Sequence, residues 1–408
     1  MGAGGTSGRR WYVVGLGSAI IAVAFAMSTA CLPVLFSEIA GELDLNIVQV
    51  GVVWGFGSIA AIFSIPAAGF LADRFGARRV LTIACFLAGV FGALRGTSDS
   101  FVSLTVTSLL FGLVSEAVPV IVIKNTSLWF YGRGLGTAQG IITACVAGGM
   151  MVGSMLSATV LSPWLGGWQN VLFFYGAITF LLGVLWFLTV PESNRAEGSA
   201  RSPAPLAALK HVLRRGNVWL IAFAMMVFAG SNKGMLGYLP LYLRNSGWTA
   251  AGADGTLAAL NAAGMIAAVP FALLSDRLGL RKSVLIPGVL VTAVGIGLLW
   301  RVTGPAVWPL AIMAGLCRDV IWAVAATMIV ETEGIGPAYA GMAVGIVHSF
   351  TRIGYTFAPP AGNSLAPFQA GLPFVFWAGL SLLALAAFLF VRETGGMNQR
   401  AVEAGPEK

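Results

Sequence analysis

The chain predicts an all-α membrane protein of twelve transmembrane helices arranged as two pseudo-symmetric six-helix bundles. Three observations predict it. Apolar residues make up 57% of the 408 and charged residues only 10%, whereas a water-soluble domain carries roughly a quarter of its residues charged. The apolar residues fall in unbroken runs of about 20, the length at which a helix crosses hydrocarbon, without the alternation of a transmembrane barrel strand. A polar hairpin also occurs twice. Gly69-Phe-Leu-Ala-Asp73-Arg74-Phe-Gly76-Ala-Arg78-Arg79 returns as Ala272-Leu-Leu-Ser-Asp276-Arg277-Leu-Gly279-Leu-Arg281-Lys282, at an offset of 203 (276 minus 73).

Spans of the required length lie near 11–36, 47–71, 80–98, 102–124, 136–160, 170–190, 217–243, 253–275, 284–300, 306–330, 338–361 and 372–392. The run from Trp11 is too long for the apolar core of a signal peptide and is read as the first span. Pro191 to Gly216, rich in Pro, Arg, Ser and Ala, divides the set six and six. The expected parts are therefore a first bundle over 1–190, a linker over 191–216 and a second bundle with a short tail over 217–408. A second repeat agrees with the first: Gly136-Thr-Ala138-Gln-Gly140, opening span five, recurs as Gly341-Met-Ala343-Val-Gly345, opening span eleven, at an offset of 205.

Counting cations by loop gives an orientation. Arg9, Arg10, Arg74, Arg78, Arg79, Lys124, Arg133, the linker cations, Arg277, Arg281, Lys282 and the C-terminal cations fall on one side, against Arg95, Arg244 and Arg301 on the other. The positive-inside rule makes the first side, with both termini, cytoplasmic in a cell (inner or plasma) membrane. The same rule accounts for the net charge of +8 without nucleic acid. Cys31, Cys85, Cys145 and Cys317 sit singly in apolar runs, so neither a disulfide framework nor a metal site is expected. No cofactor is expected either, and the absence of a phosphate-binding loop or a nucleophile constellation argues against an enzyme.

The duplicated hairpin resembles the signature loop between helices two and three of the major facilitator superfamily, with its counterpart between helices eight and nine. It departs from that pattern by Ala77 before the paired arginines. The resemblance implies a secondary transporter working by alternating access, with substrate held near the midplane between parallel repeats. It also implies that Gly69, Asp73, Arg74 and Gly76, with Asp276, Arg277 and Gly279 as the weaker copy, form a conformational latch. Asp73 would bridge to a cation or to a helix N-terminus.

Five ionisable residues stand inside spans: Glu116, Lys233, Arg318, Asp319 and Arg352. Each costs ~2.5–3.5 kcal/mol at the bilayer centre and so faces a partner or a wet space. Glu116 and Asp319 share the 203-residue offset. Three cations against two acids favour an anionic substrate, and Lys233, Arg318 and Arg352 are the binding candidates, with Trp322 and Asn232 beside them. Glu116, Asp319 and His348 are the candidates for carrying a proton. Internal salt bridges and helix packing are the competing account of each residue taken singly. Adjacent residues on a helix point about 100° apart, so one of Arg318 and Asp319 is expected to face the substrate while the other pairs elsewhere.

Span five carries no Gly-Pro motif of the kind seen in drug antiporters; it reads Gly148-Gly149-Met-Met-Val-Gly153-Ser154. Lys124 to Gly134 and Glu331 to Pro337 are loosely similar to loops of branches that carry cyanate, nitrate or nitrite, monocarboxylates or oxalate. The expected activity is transport of a small organic anion, a carboxylate, coupled to a proton, by a chain acting as a monomer. Proton-driven efflux of drugs or metabolites is the alternative, and a non-transporting sensor on the same fold is a third class.

Overall fold

The computed structural model describes residues 3–130, 133–191, 205–278, 280–302 and 304–394. Among these the chain is helical with no strand, and a helical stretch coincides with every one of the twelve expected spans. Among the described residues, nine helices are long and apolar enough to cross a membrane on length and composition alone. Large apolar side chains such as Phe63, Trp164 and Leu188 point outward. In water they would be a liability; against lipid tails they are the expected coat.

Four spans of the first half are not continuous α-helices. Span one runs Ala3–Ile21, then a π segment Ala22–Met27, then Ser28–Glu42. Span two is interrupted between Ile47–Phe56 and Ala61–Phe75, and span five turns π over Ser157–Leu161. Span four stops at Phe101–Ser115 and restarts at Val118–Trp129. Its cause is local: Pro119 lacks the N–H that would bond the Ser115 carbonyl, and its ring collides with that carbonyl. The break therefore falls on Glu116 and Ala117. At the repeat position of Pro119 stands Trp322 (322 minus 119 is 203), and span ten, Val307–Glu331, continues unbroken.

The linker also holds structure. Pro205–Leu213 is a helix, with proline opening it and Lys210 and His211 in its last turn, where the dipole favours cations.

Backbone contacts divide the chain into two units, Met1–Gly198 with Gly237–Ala258, and Ser199–Leu236 with Ala259–Lys408. In the first, span two crosses span four where Gly112 meets the Gly57 backbone so closely that a Cβ would overlap the carbonyl oxygen. In the second, Gly315 of span ten meets the carbonyl of Leu260 in span eight in the same way. Both positions are shifted by 203 (315 minus 112, 260 minus 57). The contact of Gly92 with Phe111 likewise recurs as Gly295 with Ala314, at the same shift. Gly149 packs on Ala22 and Ala26 of span one, and Gly354 on Met226 and Gly230 of span seven. Small residues at these crossings let backbones touch, which is how helices associate where lipid offers no hydrophobic drive. Duplication of sequence is thus duplication of contacts.

Candidate functional site

Within the second unit, span seven is locked by glycines. Gly230 lies against Gly354 and Ala358 of span eleven, and Gly234 against the indole of the buried Trp377, which donates to the Ala358 carbonyl at 3.1 Å. Between them stand Asn232 and Lys233, both buried. Asn232 donates to the Phe228 carbonyl at 2.9 Å, while its Oδ1 has no hydrogen-bond partner among the described residues.

The Lys233 ammonium lies 5.5 Å from the centre of the Tyr355 ring, and the Arg352 guanidinium 5.3 Å from the same ring. Cations within about 6 Å of a ring face are held there by its quadrupole. Trp322 stands beside them, 6.5 Å from Tyr355 and 5.6 Å from His348 between ring centres. His348, Arg352 and Tyr355 are spaced i, i+4, i+7 and so share one face of span eleven, Gly336–Asn363. Tyr355 also lies within electrostatic reach of Arg318. It therefore sits among all three candidate cations, and it is the residue that the sequence reading missed. Its spacing from Arg352 and His348 was the available signal.

Arg318 and Asp319 do not part company as the 100° argument expects. Nε and Nη2 of Arg318 donate to both oxygens of Asp319, at 2.9 and 3.1 Å, and Nη1 donates to Asn261 at 3.1 Å. The arginine side chain is long enough to bend back around the helix, so Cβ direction does not decide where its charge goes. Gly264 of span eight leaves the room: a Cβ there would collide with the Asp319 carboxylate.

Glu116 lies in the first unit, buried at the break in span four. Lys233, Arg318, Asp319, Trp322, His348 and Arg352 are brought together in the second.

The first signature loop is tied down within its own unit. Asp73 pairs with Lys124 of span four, whose ammonium also donates to the Gly69 carbonyl at 3.3 Å. Lys124, counted above as a loop cation, is thus the bridging partner. Arg78 donates to the Phe187 carbonyl of span six, and Arg74 lies over the Phe75 ring. Gly76 takes φ +88°, a conformation that an L side chain resists, and so joins spans two and three without an intervening loop. In the second copy the side chains of Asp276 and Arg277, and Gly279 altogether, lie outside the described residues. Next to them Arg281 pairs with Glu331 at 2.7 Å, and Glu393 accepts from the N–H groups of Arg281 and Lys282 at the start of span nine.

Two further features escaped the sequence reading. Arg95, counted as an outer-loop cation, is buried, with its guanidinium on the Ser28 carbonyl at 3.2 Å and 3.7 Å from the centre of the Phe111 ring. Asp254, near the start of span eight, is wholly buried and accepts from Arg244 and from Thr159 of span five, at 2.7 and 2.8 Å. Glu38 accepts from Ser162 close by. Asp254 sits just inside an estimated span boundary, where an acid reads as loop.

A helical stretch at each expected span, helix crossings repeated at a fixed offset and ionisable groups inside the spans describe a polytopic helical membrane protein. The chain belongs to the Major Facilitator Superfamily, whose profile matches residues 18–269 and 247–407. It is similar to the probable nitrate/nitrite antiporter NarK1 of Thermus thermophilus, 31% identical over 185 residues that make up 43% of this chain and 41% of that protein. It resembles the probable galactarate/D-glucarate transporter GudP of Escherichia coli K12 at 28% over 206 residues, 47% and 43% of the two chains. The chain thus spans about two fifths of the length of these two relatives. It aligns more fully with the 3-(3-hydroxy-phenyl)propionate transporter of Escherichia coli K12, 26% identical over 360 residues, 85% and 87% of the two chains. Among solved structures, the nucleoside transporter NupG (D323A mutant) shares the fold with a TM-score of 0.77 at 16% identity, over 93% of this chain and 99% of that one.

Proposed function

We propose that this protein is a secondary active transporter that moves a small organic anion, a carboxylate, across the cell membrane by alternating access, coupled to a proton. One observation carries the anion. Of the five ionisable groups that the sequence reading places well inside the spans, three are cations and two are acids. An excess of buried positive charge is relieved by an anion of opposite sign. The relatives named above differ in what they are named for, but nitrate, glucarate and a phenylpropionate are all anions, which supports the same reading.

Lys233 and Arg352, gathered on Tyr355, are the carboxylate-binding pair in this proposal, and Arg318 is held in reserve by Asp319. Glu116, at a break where the backbone can rearrange, is the proton carrier. Both termini lie in the cytoplasm, as the cation count requires.

Transport in proteoliposomes tests this. Arg352→Gln is expected to reduce accumulation of a radiolabelled carboxylate roughly tenfold or more. Glu116→Gln is expected to keep counterflow exchange but lose uptake driven by a pH gradient. Unchanged uptake in both variants would sink the assignment, and reduced drug sensitivity on expression, without carboxylate uptake, would favour efflux instead.

A further inference from the structure

We infer that the anion is flat and conjugated: an aromatic carboxylate, whose ring is received by Trp322, Tyr355 and His348 while its carboxylate is taken by Lys233 and Arg352. This rests on the anion reading above and narrows it. A site for an inorganic oxyanion needs donors and no wall. A site for a polyhydroxylated acid needs a polar partner for each hydroxyl, since a buried hydroxyl left unpaired is costly. What the described residues set beside the two cations is a group of rings, with Tyr355 in reach of both.

Trp322 is within 6.5 Å of Tyr355 and 5.6 Å of His348, the range in which aromatic rings attract one another and would attract a third. All three are partly exposed on the two spans that carry Arg318 and Arg352. Because charged residues on those helix faces cannot look at lipid, the rings that share the faces look at the same interior space. The two cations lie 5.3 and 5.5 Å from the Tyr355 ring centre, so they stand at the edge of the aromatic wall. A rigid acid whose carboxylate lies in the plane of its ring can meet both at once.

Matched acids of equal charge separate shape from charge. Binding to the purified full-length protein is measured by calorimetry for benzoate against cyclohexanecarboxylate, and for cinnamate against 3-cyclohexylpropionate. In at least one pair the aromatic acid is expected to bind roughly 3- to 10-fold more tightly. Trp322→Leu and Tyr355→Leu, tested separately so that a folding failure in one leaves the other, should bring that ratio close to one. Arg352→Gln should weaken both members alike. Saturated acids binding as well as aromatic ones, or a ratio untouched in both leucine variants, overturns the aromatic assignment and leaves the anion reading standing. Binding of neither pair, with nitrate and glucarate also silent, removes both.

Discussion

Gly264 has no side chain because Asp319 occupies the space where one would begin. That carboxylate is gripped by both arms of Arg318, and the side chains are only 13% and 29% exposed. A pair so placed seldom stabilises a protein more than apolar residues of the same volume would, but losing one partner leaves a buried charge alone. Asp319→Asn is therefore expected to destabilise by about 3 kcal/mol, read as a lowered melting temperature in detergent. The double variant Arg318→Met, Asp319→Leu should recover most of that loss while transport stays impaired. Recovery of transport together with stability would make the pair merely structural. Gly264→Ala, which adds one methyl group, should push the carboxylate from its place and mimic the single variant. Sequence reasoning found both charges but misjudged their relation, because helical phase gives the direction of a Cβ and says little about a guanidinium several bonds further out. Arg95 was misplaced for a similar reason: a cation near a span end reads as loop, yet its long stem can carry the charge inward to the Ser28 carbonyl.

At the scale of elements, the two acids at repeat positions live on unlike helices. Glu116 caps a broken span and Asp319 rides an unbroken one, and the difference traces to Pro119 against Trp322. Interrupted helices at midplane are where carriers expose backbone to what they bind. Pro119→Ala restores a donor for the Ser115 carbonyl and lets span four run through. Its expected effect is an equal or higher melting temperature with a slower turnover; a faster carrier would show the break to be incidental. The spans themselves were legible because crossing a bilayer demands a length that no other use of an apolar run demands. The π segment Ala22–Met27 was not, since Ala-Val-Ala-Phe-Ala-Met contains neither glycine nor proline to mark an irregular turn, and Gly149 of span five packs against it. The site was legible by half. Charge in the membrane flags Lys233, Arg318 and Arg352, but an aromatic hub such as Tyr355 is ordinary in composition and stands out only by what surrounds it.

For the whole molecule, the 203-residue offset first seen in the hairpins reappears in the crossings Gly57 with Gly112 and Leu260 with Gly315. The two halves thus kept their helix contacts while their charges diverged. One stretch departs from that symmetry: Gly237–Ala258, the adjoining ends of spans seven and eight, belongs by its contacts to the first unit, with Trp54 against Gly237 and Thr159 on Asp254. The covalent linker is therefore not what alone joins the two halves of the chain. A gene cut within codons 192–204 should yield two polypeptides that co-purify from the membrane, because the second carries its own buried handle for the first. Replacing Asp254 and Arg244 by alanine should make the fragments part.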